Sequence, residues 1–164
     1  MRVPGFLLLL ALVPTSAEAS AGRQEKDKPV AFEARGRLVC LIEEMKEKYR
    51  ADAPPIHEHL AGFRVDGDPP AGGFRYYTLY RNASSEALFV DGRFKEHELR
   101  LRGRVFPSTS VLEVSSFQWY RDGKLFDVYY WCSVCAIRGV DPGPCECCKD
   151  KVELREERAP DPKK

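Results

Sequence analysis

The feature that most constrains this 164-residue sequence is a cluster of cysteines near its C-terminal end. Five of the six cysteines lie within 17 residues: Cys132, Cys135, Cys145, Cys147 and Cys148. They form two C-x2-C pairs, 132/135 and 145/148, separated by nine residues. Two such pairs can place four thiolates around one ion, and four sulfurs in a tetrahedron are typical of structural zinc sites. The spacing predicts a zinc site at these two pairs, with Cys147 as an alternative ligand.

The segment resembles a short zinc ribbon. Pro142-Gly143-Pro144 tightens the approach to the second pair, and residues 151–154 (KVEL) can return as a strand. Two features depart from the usual ribbon. The spacer is shorter than the roughly 15–20 residues of the common pattern, and the second pair carries an extra adjacent thiol. The identity of the fourth ligand therefore stays open between Cys147 and Cys148.

Disulfides are the main alternative to a metal. The N-terminal segment, described below, indicates export, and an even number of cysteines in an exported chain suits a covalent framework. Its candidate bridges are Cys132–Cys145, Cys135–Cys148 and Cys40–Cys147. A C-x2-C pair makes a poor staple because its loop is so short, so the spacing favours a metal while the compartment favours disulfides. A third possibility is a redox centre or a carrier of a soft metal such as Cu(I) at the first pair.

Short strand-like segments dominate the rest of the sequence. Residues 99–106 (LRLRGRVF) alternate strictly between apolar or Gly positions and arginines. Asp122-Gly123 separates two further strands and is a strong hairpin signal, because both central turn positions need positive φ. The pattern predicts a mainly β domain with strands at residues 32–41, 74–81, 87–90, 99–106, 111–120 and 124–131.

Little helix is expected. One short amphipathic helix is predicted at residues 42–49, where apolar residues recur at helical spacing among charged ones. Residues 53–73 are rich in Gly and Pro and are predicted to be mostly loop. The polar lead-in at residues 20–31 and the charged tail at residues 156–164 are predicted to be flexible.

Two segments resemble strands of a small exported OB-like barrel: ARGRLVCL at residues 34–41 and LRGRVFPSTSVLEV at residues 101–114. In such barrels a glycine lets a strongly curved strand bend. The whole pattern, ending in DVYYWCSVCAIRGVDPGPCECC, also resembles uncharacterised exported bacterial proteins, a likeness that implies no activity. The resemblance implies an OB-like barrel over residues 32–131, followed by a cysteine-rich, zinc-ribbon-like knuckle at residues 132–155.

The N-terminal segment has the pattern of a secretory signal. Met1-Arg2 precedes an apolar run at residues 5–13, and Ala17-Glu18-Ala19 offers the small residues that signal peptidase reads. The run is far shorter than the roughly 20 residues of a membrane-spanning helix. We expect cleavage after Ala19, or else after Ala21. The mature chain would then be exported to the periplasm or the extracellular space with no membrane span.

The charge balance argues against a nucleic-acid partner. The formal net charge is +1, from 26 Lys and Arg against 25 Asp and Glu, whereas nucleic-acid binding usually leaves a basic footprint. OB-like domains often bind oligonucleotides or sugars, and the sequence offers a basic stripe and stacking aromatics at Arg100, Arg102, Arg104, Tyr76, Tyr77, Phe117 and Trp119. We expect these to be a solvated face and a barrel core, and the partner to be a protein or an envelope component.

Catalytic motifs are absent. The sequence has no G-x-S-x-G, no H-E-x-x-H and no phosphate-binding glycine loop. The composition and motifs favour an exported, non-catalytic binding domain with a structural zinc site, and leave an enzymatic role open. The alternatives are a thiol–disulfide redox or soft-metal-handling protein, and a disulfide-stapled structural domain of the cell envelope.

Cys40, His57 and His59 form a second constellation, because a thiolate and two imidazoles suit zinc or copper. No fourth ligand follows from their spacing, and cysteine is among the most buried residue types. The sequence therefore favours a buried strand thiol at Cys40, with the two histidines exposed in a loop.

Overall fold

The computed structural model describes residues 28–55, 58–68 and 75–160. The predicted signal segment, His57 and the last four residues lie outside these ranges. Strands dominate the described part, which confirms a mainly β fold, although it contains three short helices rather than one. None of the helices in the described ranges has the length and apolar character needed to cross a membrane.

The elements follow one another along the chain as β1 (Val30–Cys40), α1 (Leu41–Tyr49), β2 (Ala61–Val65), β3 (Tyr76–Tyr80), α2 (Glu86–Val90), α3 (Arg93–Glu96), β4 (Glu98–Phe106), β5 (Val111–Arg121), β6 (Lys124–Cys132), β7 (Ile137–Gly139) and β8 (Glu153–Arg158). Most predicted strands and the predicted helix are found within one or two residues of their expected limits. Strand β1 begins inside the lead-in that was expected to be flexible, and β2 lies inside the segment expected to be mostly loop.

Five strands close into a small barrel. Strand β1 pairs antiparallel with β2 on one side and with β4 on the other. Strand β2 pairs with β3, and β4 pairs with β5. A parallel pairing between β3 and β5 completes the ring in the order β1-β2-β3-β5-β4. The OB-like barrel predicted from the sequence is therefore confirmed.

The core fills the barrel with alternate side chains of its strands. Leu99, Leu101 and Val105 of β4 are fully buried, as their alternation with arginines predicts. Aromatic rings pack edge to face around Phe32, whose ring centroid lies 4.8 Å from that of Tyr77. Leu88 of α2 and Phe94 of α3 are buried in the same core. The two short helices therefore cover part of the barrel interior.

Residues 87–90 were predicted to be a strand, and this prediction was wrong because they form most of helix α2. Local hydrogen bonds hold the turn that precedes helix α2. The backbone N–H of Ser85 donates to Asn82 Oδ1 at 2.9 Å, and the Ser85 hydroxyl donates to the carbonyl of Tyr80 at 2.9 Å. A run of four apolar residues fits a buried strand and a buried helical turn equally well. The polar residues before the run decide between them.

Strand β6 continues beyond its pairing with β5 and becomes the centre of a second, three-stranded unit. Residues 130–132 pair with β7, and residues 126–131 pair with β8 on the opposite edge. The tail expected to be flexible from residue 156 instead continues as β8 through Arg158, and Ala159 is buried. Its carboxylates have partners, since Trp119 Nε1 donates a hydrogen bond to Glu156 at 2.8 Å and Arg138 forms an ion pair with Glu157 at 2.8 Å.

Candidate metal centre

The first C-x2-C pair forms the turn between β6 and β7. Cys132 is the last residue of β6 and lies opposite Ile137, the first residue of β7. The backbone N–H of Cys135 donates to Cys132 Sγ across 3.5 Å. Ala136, which follows the pair, has a φ of 55° and turns the chain back toward β6. We call this turn, residues 132–136, the first knuckle.

The second pair forms a similar turn before β8. The backbone N–H of Cys145 donates to the carbonyl of Asp150, and the N–H of Lys149 donates to the carbonyl of Cys145, both at 2.8 Å. The backbone N–H groups of Cys147 and Cys148 lie close enough to the Cys145 thiol to lower its pKa. Lys149, which follows the pair, has a φ of 62°. We call residues 145–149 the second knuckle.

The two knuckles share one geometry. In each, backbone N–H groups point at the sulfur of the first cysteine, and the residue after the second cysteine has left-handed backbone geometry. They face each other, so that the sulfurs of Cys132, Cys135, Cys145 and Cys148 all lie within 4.8 Å of one another. Four converging thiols match the donor set of a tetrahedral metal site. This cluster of four cysteines could hold a metal ion.

Cys147, the alternative fourth ligand, stands apart from this group. Its side chain is exposed and interacts with Cys135, but its sulfur is not among the four that converge. Cys132 and Cys145 are buried, while Cys135 and Cys148 lie nearer the surface. All six cysteines are free thiols, so none of the candidate disulfides is formed.

The sulfurs differ in acidity because their surroundings differ. The backbone N–H of Cys148 lowers the pKa of the Cys145 thiol to about 7, against an opposing effect of burial. The neighbouring thiols of Cys148 and Cys147 raise the pKa of Cys135 well above its usual range. For Cys132, the N–H of Cys135 acts to lower the pKa, but burial and the Cys145 and Cys148 thiols leave it raised. Backbone N–H groups thus stabilise negative charge on sulfur, while crowded thiols oppose a second and third charge.

Comparisons with protein-family models, with curated proteins and with solved structures find no match to this chain. No family is shown. What the cluster can do therefore follows from its own residues: sulfur donors, converging geometry and backbone N–H groups that favour thiolates. These properties are those of a site for a soft or borderline metal ion.

A second group of ligating side chains lies at the start of helix α1. Cys40 Sγ, a carboxylate oxygen of Glu43 and a ring nitrogen of His59 all lie within 4.8 Å of one another. Cys40 is partly buried at the end of β1, and His59 is exposed but close to it. The sequence instead favoured a buried strand thiol at Cys40 and exposed loop histidines that bind no metal. Sequence reasoning missed Glu43, although its position three residues after Cys40 at a helix start places the two on one side.

The polarity of the Cys40 surroundings favours the thiolate. Burial raises the pKa of this thiol, but the backbone N–H groups of Glu43 and Ile42 and the side chain of His59 outweigh it, so the pKa lies below its usual value. The group lines a cleft of about 330 Å³, which also touches Glu47, Leu88 and Phe89. Solvent and small molecules therefore have room beside these three donors.

The candidate nucleic-acid surface is largely neutralised or buried. The Nε atoms of Arg100 and Arg102 donate to Glu33 at 2.7 and 2.8 Å. Arg104 Nε donates to Glu113 at 2.5 Å. Of the proposed stacking residues, three belong to the core, namely Tyr77, Phe117 and Trp119. Paired arginines and buried rings are poorly placed to hold phosphates and bases.

Proposed function

We propose that this chain is an exported, non-catalytic interaction protein whose OB-like barrel carries a ribbon closed by zinc. Strands β6, β7 and β8 and the two knuckles make up this ribbon, and Cys132, Cys135, Cys145 and Cys148 are its ligands. The observation that carries the proposal is the convergence of these four sulfurs from two knuckles of matched geometry. Zinc is the metal that tetrahedral thiolate sites of this kind hold most often.

The geometry supports a metal over covalent bridges. Every one of the four sulfurs lies within 4.8 Å of the other three, so the cluster has one centre rather than two separate pairs. Backbone N–H groups directed at Cys132 and Cys145 offset the negative charge that four thiolates would concentrate around an ion. Both features suit an ion at the centre of the group, and neither is needed for a disulfide framework.

The ion would supply stability that the ribbon lacks on its own. All three residues of β7 are exposed, and β8 contributes only alternate, partly covered positions to packing. Structural zinc contributes about 10–16 kcal/mol of apparent binding free energy in isolated zinc-finger peptides. A fraction of this binding free energy is enough to hold the two knuckles together.

The barrel would provide the interaction surface. The near-neutral overall charge of +1 and the carboxylates that pair with Arg100, Arg102 and Arg104 support a protein or envelope partner over a nucleic acid. The signal-like segment at residues 1–19 supports export. In such an exported binding domain, the zinc site would have a structural role.

Two adjacent cysteines offer a matched test. We expect Cys148→Ser to lose one equivalent of zinc relative to the unmodified chain, because it removes one of four converging sulfurs. Cys147→Ser should keep it, because that exposed thiol lies outside the group. The measurement is metal content by mass spectrometry, with a free-thiol count, on protein purified from its native compartment without reductant.

Oxidised knuckles without metal in the unmodified chain would overturn the proposal. That result would favour the redox or disulfide-stapled alternatives, although the sulfurs that lie 3.5 Å apart are those of Cys132 and Cys148, a pair that is not one of the bridges expected from the sequence. Equal metal loss in both serine variants would also contradict the ligand assignment, since it would make the two adjacent thiols equivalent.

A further inference from the structure

The Cys40 group combines three different donor types on a backbone that fixes them. Cys40 ends β1, Glu43 lies in the first turn of α1, and His59 lies just before β2. Cys40 is paired with Ala61 in the β1–β2 ladder, and Leu41 N–H donates to the carbonyl of Leu60 at 2.9 Å. The segment that carries His59 is therefore held against the helix start by main-chain hydrogen bonds.

We propose that Cys40, Glu43 and His59 form a second metal site, for a divalent ion of the zinc class. One thiolate, one carboxylate and one imidazole are all accepted zinc ligands. Three protein ligands with a fourth position left for water or another molecule distinguish open sites from closed, four-ligand structural ones. The second site thus differs from the knuckles in ligand number as well as in donor type.

The surroundings support an open position. The three donors line the cleft of about 330 Å³, so an ion held by them would face solvent-filled space on its remaining side. Glu44 and Glu47 from the same helix also line this cleft, against one lysine, Lys95. Two cationic side chains already neutralise Glu44, so Glu43 and Glu47 make up the excess of carboxylates that favours a cation there. The fourth position suits water or a small nitrogen, sulfur or anionic donor.

The test uses the mature chain loaded with one equivalent of zinc, which the four thiolates of the knuckles should bind first. Cobalt(II) is then added. We expect native mass spectrometry to detect one additional metal ion per chain. Its near-ultraviolet absorption should contain a thiolate-to-cobalt charge-transfer band of about one quarter of the intensity given by a four-thiolate site, because one sulfur binds instead of four. Added imidazole should shift this spectrum, since it would enter the open position.

Substitutions at the three donors test which residues bind the added ion. His59→Ala and Cys40→Ser should each lose the added ion while keeping the knuckle zinc, and Glu43→Gln should weaken its binding at least about tenfold. The controls are His97→Ala, whose ring stacks on Trp119 with centroids 4.2 Å apart, and Cys147→Ser. Both controls should keep two metal ions. Circular dichroism checks that each variant is folded.

Three results would overturn the proposal: no added ion in the unmodified chain, an added ion that survives both His59→Ala and Cys40→Ser, or a cobalt spectrum without a thiolate band. The result is independent of the knuckles. If Cys148→Ser lacks zinc but still takes up one cobalt with the single-thiolate band, the second site stands. If neither Cys148→Ser nor the zinc-loaded unmodified chain takes up cobalt, the second site is refuted and the assignment of the knuckle ligands still stands.

Discussion

Two glycines let neighbouring strand backbones approach more closely than any side chain would allow. A Cβ atom at Gly36 would lie 2.0 Å from the carbonyl oxygen of Arg64, and one at Gly103 would lie 2.0 Å from the carbonyl oxygen of Glu113. Gly36 is the residue at which β1 pairs with both β2 and β4, and the β4–β5 register shifts beside Gly103. Both positions mark bends at which the barrel closes.

Gly36→Ala should destabilise the protein by about 3 kcal/mol, because the added methyl group meets backbone atoms that cannot move without opening the barrel. Gly92→Ala is the control, since no atom lies within 4 Å of its Cβ position and its φ is already helical at −58°. It should change the free energy of unfolding by less than about 0.5 kcal/mol. Urea unfolding followed by tryptophan fluorescence measures both. Equal stability of the two variants would show that β1 and β2 do not lie in close contact at Gly36.

The sequence predicts individual residues well where local chemistry decides their position. The alternation of Leu99 and Leu101 with arginines predicts which side of β4 is buried, because successive strand residues face opposite ways. Asp122 and Gly123 both have positive φ, at 51° and 72°, as the hairpin signal requires. The spacing of the two C-x2-C pairs predicts which sulfurs converge, but it cannot separate Cys147 from Cys148. That separation depends on the turn of the second knuckle.

Among the elements, the missed ones are short and depend on distant partners. Strand β7 has three exposed residues and exists through its pairing with β6. The sequence indicates a returning strand only at residues 151–154. The rest of β8 is so charged that its composition indicates a solvated tail, yet the strand pairs with six consecutive residues of β6. Strand β2 lies in a segment rich in Gly and Pro. The association of Cys40 with His59 depends on the β1–β2 pairing in the same way, because 18 intervening residues separate them in sequence.

Helices α2 and α3 are tied to β6 by one carboxylate. Asp91, between the two helices, accepts a hydrogen bond of 2.6 Å from the Tyr130 hydroxyl and one of 2.9 Å from Arg93 Nε. Its side chain is only 8% exposed. The hydrogen bonds from Arg93 and Tyr130 outweigh burial and lower the pKa of Asp91 to about 2. Ionised Asp91 therefore stabilises the packing of these helices against the sheet.

A carboxylate with a lowered pKa stabilises the folded chain above the pKa of the unfolded state, about 4, and the contribution is lost as the pH falls toward about 2. Asp91→Asn should therefore reduce the free energy of unfolding by about 2 kcal/mol at pH 7. This deficit should shrink as the pH is lowered from 4 to 2. Urea unfolding at a series of pH values measures the difference.

The control for this pH series is Asp52→Asn, which changes an exposed carboxylate. It should leave the free energy of unfolding within about 0.5 kcal/mol of the unmodified chain at every pH. A deficit in Asp91→Asn that stays constant from pH 7 to pH 2 would mean that Asp91 acts through packing or neutral hydrogen bonds rather than through its charge.

The whole molecule combines two units that are stabilised in different ways. The barrel is a closed ring of five strands around buried aromatic and aliphatic side chains. The ribbon is joined to it by the pairing of β6 with β5, but the knuckles and β7 lie outside the core, although Val152 and Leu154 pack against its margin. The barrel thus relies on apolar burial and the knuckles on their proposed metal. Loss of the metal should loosen one end of the molecule and leave the other folded.

Hydrogen–deuterium exchange before and after chelation of the metal tests this division. Without metal, amides of the knuckles and β7 should exchange at least about tenfold faster, because their hydrogen bonds no longer have support from the four linked sulfurs. Amides of β1, β4 and β5 should keep their protection, since the barrel closes without any residue of the knuckles. Strand β8 should lie between these limits, because it pairs with β6 along six residues and Ala159 N–H donates to the carbonyl of Leu125 at 2.9 Å. Loss of protection throughout the barrel would contradict this division and make the metal centre a condition for folding the entire domain.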